Sequence, residues 1–164
     1  MPGSGKSTIG EATANRLALL YTDCDRSIER RAGCSIAAIF ERSGEHGFRE
    51  VEAEVLGIAV AESASVIATG GGVVLRDANR ELLRTHTCCV YLRASHELLW
   101  RRLRRDRRRP LLQVADPEQR LRQMSAERGP LYEQTAHIVI DTDGVAIDHL
   151  VDEVVRRVST VSAR

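Results

Sequence analysis

The chain has 164 residues, and its 24 lysines and arginines nearly balance its 23 aspartates and glutamates, which leaves a formal net charge of +1. That length suits one domain with a sizeable core, and the charge balance argues against a general binder of polyanions such as nucleic acids. No charged and apolar leader and no membrane-length apolar run is visible, so we expect a cytoplasmic protein with one domain over residues 1–164.

The four cysteines and five histidines give no sign of a metal site or a disulfide framework. The cysteines lack metal-ligand spacing, and no histidine has a cysteine or a second histidine at ligand spacing. We therefore expect reduced thiols, with the adjacent Cys88 and Cys89 as small core residues, and histidines that are structural or lie on the surface.

Most of a nucleotide phosphate-binding loop lies within the first eight residues. Its glycines permit backbone conformations closed to other residues, so successive N–H groups can turn toward a phosphate. Lys6 adds a positive charge near the β- and γ-phosphates, the Ser7 hydroxyl is placed to bind Mg²⁺, and a following helix points its positive end at the same anion. The alternative is that the Gly-Ser-Gly stretch is a flexible remnant of an expression tag, but the helix that follows argues against it. The predicted nucleotide-binding residues are Gly3, Ser4, Gly5, Lys6, Ser7 and Thr8.

Apolar stretches typical of strands alternate with helical patterns along the rest of the chain. This alternation predicts an α/β protein, a three-layer αβα fold with a central parallel sheet. The predicted strands cover residues 19–22, 65–69, 88–92 and 137–140. Further along the same pattern, helix starts are predicted at Ser35, Ser95 and Asp116, a break at 44–47, and a helix end at Arg128, before Gly129 and Pro130.

Two carboxylates, Asp23 and Asp25, follow the first predicted strand. Carboxylates just past the C-terminal end of a strand lie in the crevice where open α/β sheets bind ligands. An ordinary helix N-cap is the alternative for Asp23. Because no aspartate ends the strand at 65–69, Asp23 is the candidate second anchor for Mg²⁺ beside Ser7, and Asp25 would face a second substrate.

Three further motifs could belong to the same crevice. Arg49 and Glu52 are three residues apart and share one helix face, although such a pair is more often a surface ion pair. The glycine triplet 70–72 follows a strand directly, which suits close backbone approach to a ligand, with a plain turn as the alternative. If Arg49 and Arg128 converge, they could grip a carboxylate, and Asp25 could accept the proton of a hydroxyl that attacks the γ-phosphate. The implied acceptor is a small hydroxy acid.

Seven arginines crowd the run 101–109. A solvated helix face and a nucleic-acid patch are two interpretations, and the second lacks interleaved aromatic residues apart from Trp100. A mobile lid at about 104–116, which brings guanidinium groups over the phosphates, is the third. Because a phosphate-binding loop is present, the lid interpretation competes with the other two. We expect the lid arginines to become protected from proteolysis or hydrogen exchange when both substrates are bound.

Taken together, these motifs resemble shikimate kinase, a P-loop family with a fold like that of nucleoside monophosphate kinases. The resemblance spans residues from Pro2 to about Val158. The family motifs after the loop are D-x-D, G-F-R, the glycine triplet, R-P-L-L and R-x-P-L-Y, and they match Asp23 to Asp25, Gly47 to Arg49, Gly70 to Gly72, Arg109 to Leu112 and Arg128 to Tyr132.

The resemblance implies transfer of the ATP γ-phosphate to the 3-hydroxyl of shikimate, in the route to chorismate. It implies shikimate binding by Asp25, Arg49, Arg128 and the backbone of Gly71 and Gly72. Catalytic roles fall to Asp25, Lys6 and Arg109, metal binding falls to Ser7 and Asp23, and the nucleotide also meets Arg102 and Arg109. We expect a monomer that binds ATP, shikimate and Mg²⁺ but no nucleic acid or membrane.

The sequence departs from the family at its start. The first glycine of G-x-x-x-x-G-K-[ST] would precede Met1, and the strand expected before the loop, central in the family's sheet order 2-3-1-4-5, is missing. A start codon further upstream, a fragment or a compromised protein would each explain this. We expect two unpaired strand edges, and we predict that an upstream extension of roughly ten residues restores stability and activity.

Two other functions stay open at this point. A kinase of another hydroxy acid would keep the phosphate loop without both arginine motifs. A ligand-sensing domain of a larger regulator would explain the abrupt start, but it would have no reason to keep Asp25, Arg49 and Arg109 together.

Overall fold

The computed structural model describes residues 1–62, 64–106 and 112–162. The secondary structure follows the alternation that the sequence predicts. Its strands are β1 (Leu20–Asp23), β2 (Ser65–Ala68), β3 (Val90–Arg93) and β4 (Ile138–Asp141). Its helices are α1 (Lys6–Leu17), α2 (Cys24–Ala32), α3 (Ile36–Ala61), α4 (Asp77–His86), α5 (His96–Leu103), α6 (Pro117–Thr135) and α7 (Ile147–Ser162). A short 3₁₀ turn at Val73–Leu75 precedes α4.

The four strands form two separate parallel pairs. β1 pairs with β2, with Leu20 opposite Ser65, and β3 pairs with β4, with Val90 opposite Ile138. In the part of the chain that the structure describes, β2 and β3 have no strand on their other sides. The α/β prediction is therefore confirmed, and so is the expectation of two unpaired edges at the centre.

Helices cover both faces of the strands. On one face, Leu92 of β3 packs in an apolar cluster with Ile9 of α1 and Val154 of α7. On the other face, Tyr91 packs against a second cluster that contains Leu83 of α4 and Leu121 of α6. Alternate residues of a strand point to opposite faces, so these two clusters make the three layers of the predicted αβα fold.

Short polar side chains begin the helices where the sequence predicts them. The hydroxyl of Ser35 accepts a hydrogen bond from the Ala38 amide at 3.2 Å, and Ser95 does the same for Leu98 at 3.2 Å. The carboxylate of Asp116 accepts from the Gln119 amide at 2.9 Å. Each cap satisfies an amide that has no partner inside its helix.

Two predictions about helix breaks need correction. Helix α6 does not end at Arg128 but continues through Pro130 to Thr135. The proline removes one hydrogen bond, yet buried residues on both sides of it, among them Met124 and Tyr132, hold the helix in one piece. The break at 44–47 is only a kink within α3, where Gly44 takes a left-handed φ of 65°. Within the described residues, none of the helices has the length and apolar content needed to cross a membrane.

Candidate active site

The phosphate-binding loop closes on itself at the start of α1. Gly3 and Gly5 have φ of 77° and 94°, in the left-handed region that glycine adopts without strain. The Ser4 hydroxyl and the Lys6 ammonium both donate to the carbonyl oxygen of Met1, at 3.0 and 2.9 Å. Helix α1 starts at Lys6, directly after Gly5, so the unpaired amides of its first turn face the loop as predicted.

Helix α5 supports this loop from the side. Arg102 donates from Nη1 to the carbonyl oxygen of Gly3 at 2.8 Å. The predicted nucleotide contact Arg102 therefore lies at the loop, and Thr8 lies exposed on α1. The loop after β4 lies beside the start of α5, because Asp143 accepts a hydrogen bond from the Ser95 amide at 3.0 Å. Arg109 and most of the predicted lid core, residues 107–111, lie outside the described residues.

Asp23 serves two purposes. Its Oδ1 accepts from the amides of Asp25 and Arg26, at 3.0 and 3.3 Å, which makes it the N-cap of α2. Its Oδ2 accepts from the Ser7 hydroxyl at 3.2 Å and from the Tyr21 hydroxyl at 3.3 Å. Asp23 therefore caps α2 and also lies beside Ser7, so both interpretations of this residue are correct.

The Ser7 and Asp23 oxygens fit Mg²⁺. Magnesium prefers oxygen ligands and usually keeps several waters and phosphate oxygens, so one hydroxyl and one carboxylate from the protein are enough. Groups of three or more His, Cys, Asp or Glu side chains that could form an all-protein metal cage do not occur in the described part of the chain.

Arg49, Glu52 and Arg128 form a buried charged cluster beside the loop. Their exposed fractions are 8%, 2% and 2%. Arg49 donates to Glu52 at 2.7 Å and to Glu45 at 2.8 Å, and it lies over the ring of Phe48. The surface ion-pair interpretation of Arg49 and Glu52 is therefore wrong. Arg49 and Arg128 both act electrostatically on Glu52, and their convergence on one substrate stays a prediction.

The electrostatics of this cluster depend on burial. Burial raises the pKa of Glu52, Asp25 raises it further, and the two arginines act in the opposite direction. For Arg49, burial lowers the pKa, but the carboxylates of Glu52 and Glu45 outweigh that effect and raise it overall. The cluster thus holds two permanent positive charges in a site with little solvent.

Three polar atoms of the cluster have no hydrogen-bond partner among the described residues. They are Nε of Arg49, Nε of Arg128 and Oε1 of Glu52. Buried polar atoms are nearly always hydrogen-bonded, so an unsatisfied group in a native site calls for a ligand, a water or a functional role. Two buried guanidinium donors in one cluster suit an anion, and a planar carboxylate matches their geometry best.

The glycine triplet makes room for this cluster. A Cβ on Gly70 would lie 2.9 Å from Oε1 of Glu52 and 3.0 Å from Oδ1 of Asp25. A Cβ on Gly72 would lie only 2.1 Å from Nη1 of Arg49. Asp25, Arg49 and Glu52 therefore meet at one wall of glycine backbone, and close approach is the reason for the triplet rather than a hairpin turn.

The sequence interpretation missed the part played by Tyr132. Its hydroxyl donates to the carbonyl oxygen of Gly71, which also accepts from Arg128 at 3.2 Å. The Tyr132 ring stacks on Tyr91 with 5.0 Å between centroids, and burial raises the pKa of Tyr132 to about 12. The signal was available, since Tyr132 ends the motif that starts at Arg128.

A glycine-rich loop at a helix N-terminus has a carboxylate beside its serine and a buried pair of arginines nearby. This combination defines a P-loop kinase of a small anionic acceptor. Comparison with known proteins specifies the class further. The family model for shikimate kinase matches residues 2–159, and the chain belongs to the shikimate kinase family.

Several relatives support this assignment. The chain is 43% identical to shikimate kinase of Nitrosospira multiformis over 164 residues, which is all of this chain and 84% of that protein. It is 49% identical to shikimate kinase of Paracidovorax citrulli over 146 residues, 87% of this chain and 79% of that one. Shikimate kinase from Acinetobacter baumannii, solved in complex with shikimate, superposes with a TM-score of 0.94 at 40% identity, covering 99% of this chain and 90% of that one. The chain is accordingly an ATP-dependent kinase of the shikimate pathway.

Proposed function

We propose that this chain transfers the γ-phosphate of ATP to the 3-hydroxyl of shikimate. The observation that carries the proposal is the buried pair of arginines, Arg49 and Arg128, beside the carboxylate of Asp25. Neither Nε has a partner among the described residues. A hydroxy acid that places its carboxylate on the arginines can place a hydroxyl at Asp25. The phosphate-binding loop supplies the donor on the neighbouring side.

Arg49 and Arg128 hold the acceptor by its carboxylate. Glu52 and Glu45 fix the guanidinium of Arg49 from two sides, so little side-chain freedom is lost when the anion binds. Arg128 is anchored on the Gly71 carbonyl oxygen. The backbone of Gly71 and Gly72 lines the remaining wall, and a side chain on Gly72 would displace Arg49.

Asp25 orients the attacking hydroxyl and accepts its proton. Its backbone is fixed by the cap that Asp23 provides, and its Oδ1 reaches the Gly70 wall. A positioned general base of this kind contributes about 10²–10⁴-fold to rate. Asp23 and Asp25 are two residues apart, so one short segment serves the phosphate donor through Asp23 and the acceptor through Asp25.

The phosphates bind at the start of α1. The amides of the loop and the ammonium of Lys6 neutralise the β- and γ-phosphates, with Ser4 and Thr8 in the same segment and Arg102 at its side. Ser7 and Asp23 would hold Mg²⁺, which neutralises charge on the nucleotide when bound. We assign the closing arginine to Arg109, in a lid at about 104–116, on the family motif alone.

The same proposal covers the form in which the protein works. We infer one kinase domain over residues 1–164, acting as a monomer in the cytoplasm without nucleic acid. Support comes from the four unpaired cysteines, which suit a reducing compartment, and from the near balance of charge.

A coupled assay of ADP release, with and without shikimate, tests this function. We expect ADP release that depends on shikimate, and much weaker release with the methyl ester of shikimate, which lacks the carboxylate that the arginines would bind. Equal turnover of another hydroxy acid would indicate a different acceptor. Shikimate binding without any turnover would indicate a ligand-sensing domain.

A further inference from the structure

Arg76 lies between the glycine triplet and α4 and belongs to none of the motifs that predict the site. Its Nη1 donates to the backbone carbonyl oxygen of Arg49 at 3.1 Å, and its Nη2 lies 3.0 Å from Oε1 of Glu50. We propose that Arg76 is a positioning residue for acceptor recognition, which holds the backbone of α3 against the glycine turn and so keeps the Arg49 guanidinium in its binding position. This role rests on the proposed function and adds to it a residue that acts through Arg49.

Arg76 is an unusual residue for the start of a helix. It takes the N-cap position of α4, with extended φ and ψ of −95° and 129°, where Ser, Thr, Asp and Asn are preferred. Within the described part of the chain its side chain caps no amide of α4, and it turns to α3 instead. A residue that breaks a local preference in this way indicates a role elsewhere in the fold.

The turn that precedes Arg76 is attached firmly to α4. The side chain of Asn79, which is buried, donates to the carbonyl oxygen of Val73 at 3.1 Å, and Arg80 donates to that of Val74 at 2.7 Å. These contacts hold the shape of the turn and its place on α4. A side chain that leaves from the end of the turn can therefore keep a neighbouring helix at a fixed distance.

The carbonyl oxygen of Arg49 is a suitable anchor for that side chain. A carbonyl oxygen has two lone pairs, so within a helix it can accept a side-chain hydrogen bond in addition to the bond of its own helix. The donor is a guanidinium, and charge-assisted hydrogen bonds are stronger than neutral ones. Because Arg76 holds the backbone of the same residue whose guanidinium should bind the acceptor, loss of the contact acts on that guanidinium directly.

The fit between Arg49 and the glycine turn makes the position of α3 important. The guanidinium lies so close to Gly72 that a Cβ there would be 2.1 Å from Nη1. Glu52 and Glu45 hold the guanidinium from α3 itself, so a shift of α3 moves all three side chains relative to the glycine wall. A displacement of about 1 Å is enough to weaken a site strongly.

Four variants separate this positioning role from a plain surface ion pair. Arg76→Ala removes both contacts, Arg76→Lys keeps the charge but loses the planar fork, and Glu50→Gln removes only the ion pair. Arg84→Ala is the matched control, because Arg84 is also on α4 but donates to the carbonyl oxygen of Gln134 on α6. Calorimetry measures the Kd of shikimate and of ATP for each variant.

We expect Arg76→Ala to raise the shikimate Kd about threefold to tenfold, the equivalent of one ordinary hydrogen bond, and to leave the ATP Kd unchanged. Arg76→Lys should recover part of the loss, and Glu50→Gln and Arg84→Ala should change neither constant. An unchanged shikimate Kd in Arg76→Ala would overturn the proposal. An equal rise in Arg84→Ala would also overturn it, because loss of positive charge alone would then explain the effect.

A double-mutant cycle decides whether Arg76 acts through Arg49. In the Arg49→Ala background, the further change Arg76→Ala should leave the shikimate Kd where it is, because the guanidinium that Arg76 positions is already absent. A second loss as large as in the unchanged background would contradict action through Arg49.

The Nε–H resonance of Arg49 gives a readout that needs no acceptor. NMR assigns it by its disappearance in Arg49→Ala, and it should shift in Arg76→Ala but not in Arg84→Ala. An unmoved resonance would overturn this inference alone. Failure of the unchanged chain to bind shikimate would overturn the proposed function, and the resonance would still decide whether Arg76 positions Arg49.

Discussion

The two ends of the candidate active site are built on different physical principles. At the phosphate end, most groups are backbone amides or side chains open to solvent, and the Ser7 to Asp23 hydrogen bond is exposed. At the acceptor end, Arg49, Glu52 and Arg128 are almost fully buried, and three of their polar atoms have no partner in the part of the chain that the structure describes.

This difference determines how much each end contributes to the stability of the folded chain. Exposed contacts are worth little, because water replaces them almost as well. Buried charges must be paired, and removal of one partner leaves an uncompensated charge in a poorly solvated site. Substitutions at the acceptor end should therefore change both the stability of the chain and the binding of the acceptor. Substitutions at the phosphate end should chiefly change nucleotide binding.

The largest expected effect lies where the two ends meet. Asp25→Asn should lower kcat by about 10²–10⁴-fold, because an amide cannot accept the hydroxyl proton. ATP affinity should stay unchanged, since Asp25 belongs to the acceptor end. Asp148→Asn, an exposed change on α7, is the control. A variant that keeps more than half of the original kcat would remove Asp25 from the mechanism.

Glu52→Ala tests the cost of unpairing the buried cluster. We expect a loss of about 3 kcal/mol in the free energy of unfolding, at the lower end of the range for buried pairs because Arg49 keeps Glu45. Glu54→Ala, two residues further along α3, removes an exposed bridge to Arg31 and should cost less than about 1 kcal/mol. Denaturant unfolding measures both, and equal losses would contradict the expected sensitivity of the buried charges at the acceptor end.

Tyr132 makes the acceptor end sensitive to alkaline pH. Its pKa is raised to about 12 from 10 in the unfolded chain, so its deprotonation favours unfolding. Stability from this group is complete below pH 10 and is lost as pH rises from 10 to 12, by at most about 2.7 kcal/mol. Tyr132→Phe should lose less stability over that interval than the unchanged chain does. The same slope in both would mean that Tyr132 titrates normally.

The places where sequence reasoning succeeded are local. The caps at Ser35, Ser95 and Asp116 depend on residues within one turn, and so does the helix start after Gly5. These signals need no knowledge of the rest of the fold. The order of strands and helices followed from the same short-range patterns.

The failures depended on packing. Sequence spacing places Arg49 and Glu52 on one helix face, but their burial depends on glycines more than 15 positions away that allow backbone contact. Likewise, Pro130 predicts a helix end from the sequence alone. Only the burial of residues on both sides of it shows that the helix continues. Residues 107–111, which include Arg109, lie outside the described structure, so the lid stays a prediction.

Arg49→Ala should weaken acceptor binding and leave nucleotide binding intact. A charge-assisted hydrogen bond to a carboxylate is worth roughly 1.5–3 kcal/mol, so the shikimate Kd should rise about tenfold to a hundredfold. Arg31→Ala on the surface is the matched control. Calorimetry with shikimate and with ATP separates the two ends, and an unchanged shikimate Kd would exclude Arg49 from the acceptor site.

The smallest effect on stability is expected at the phosphate end itself. Ser7→Ala removes one exposed hydrogen bond to Asp23, so the free energy of unfolding should change by less than about 1 kcal/mol. Its KM for MgATP should nevertheless rise, while the shikimate Kd stays constant, because the hydroxyl serves only the nucleotide and its metal. Ser159→Ala, which removes an exposed hydroxyl on α7, should change neither constant. If Ser7→Ala instead destabilises the chain as much as Glu52→Ala, the phosphate end also stabilises the fold. The hydrogen bond between Ser7 and Asp23 would then hold β1 against α1, and the two oxygens would not be reserved for a metal.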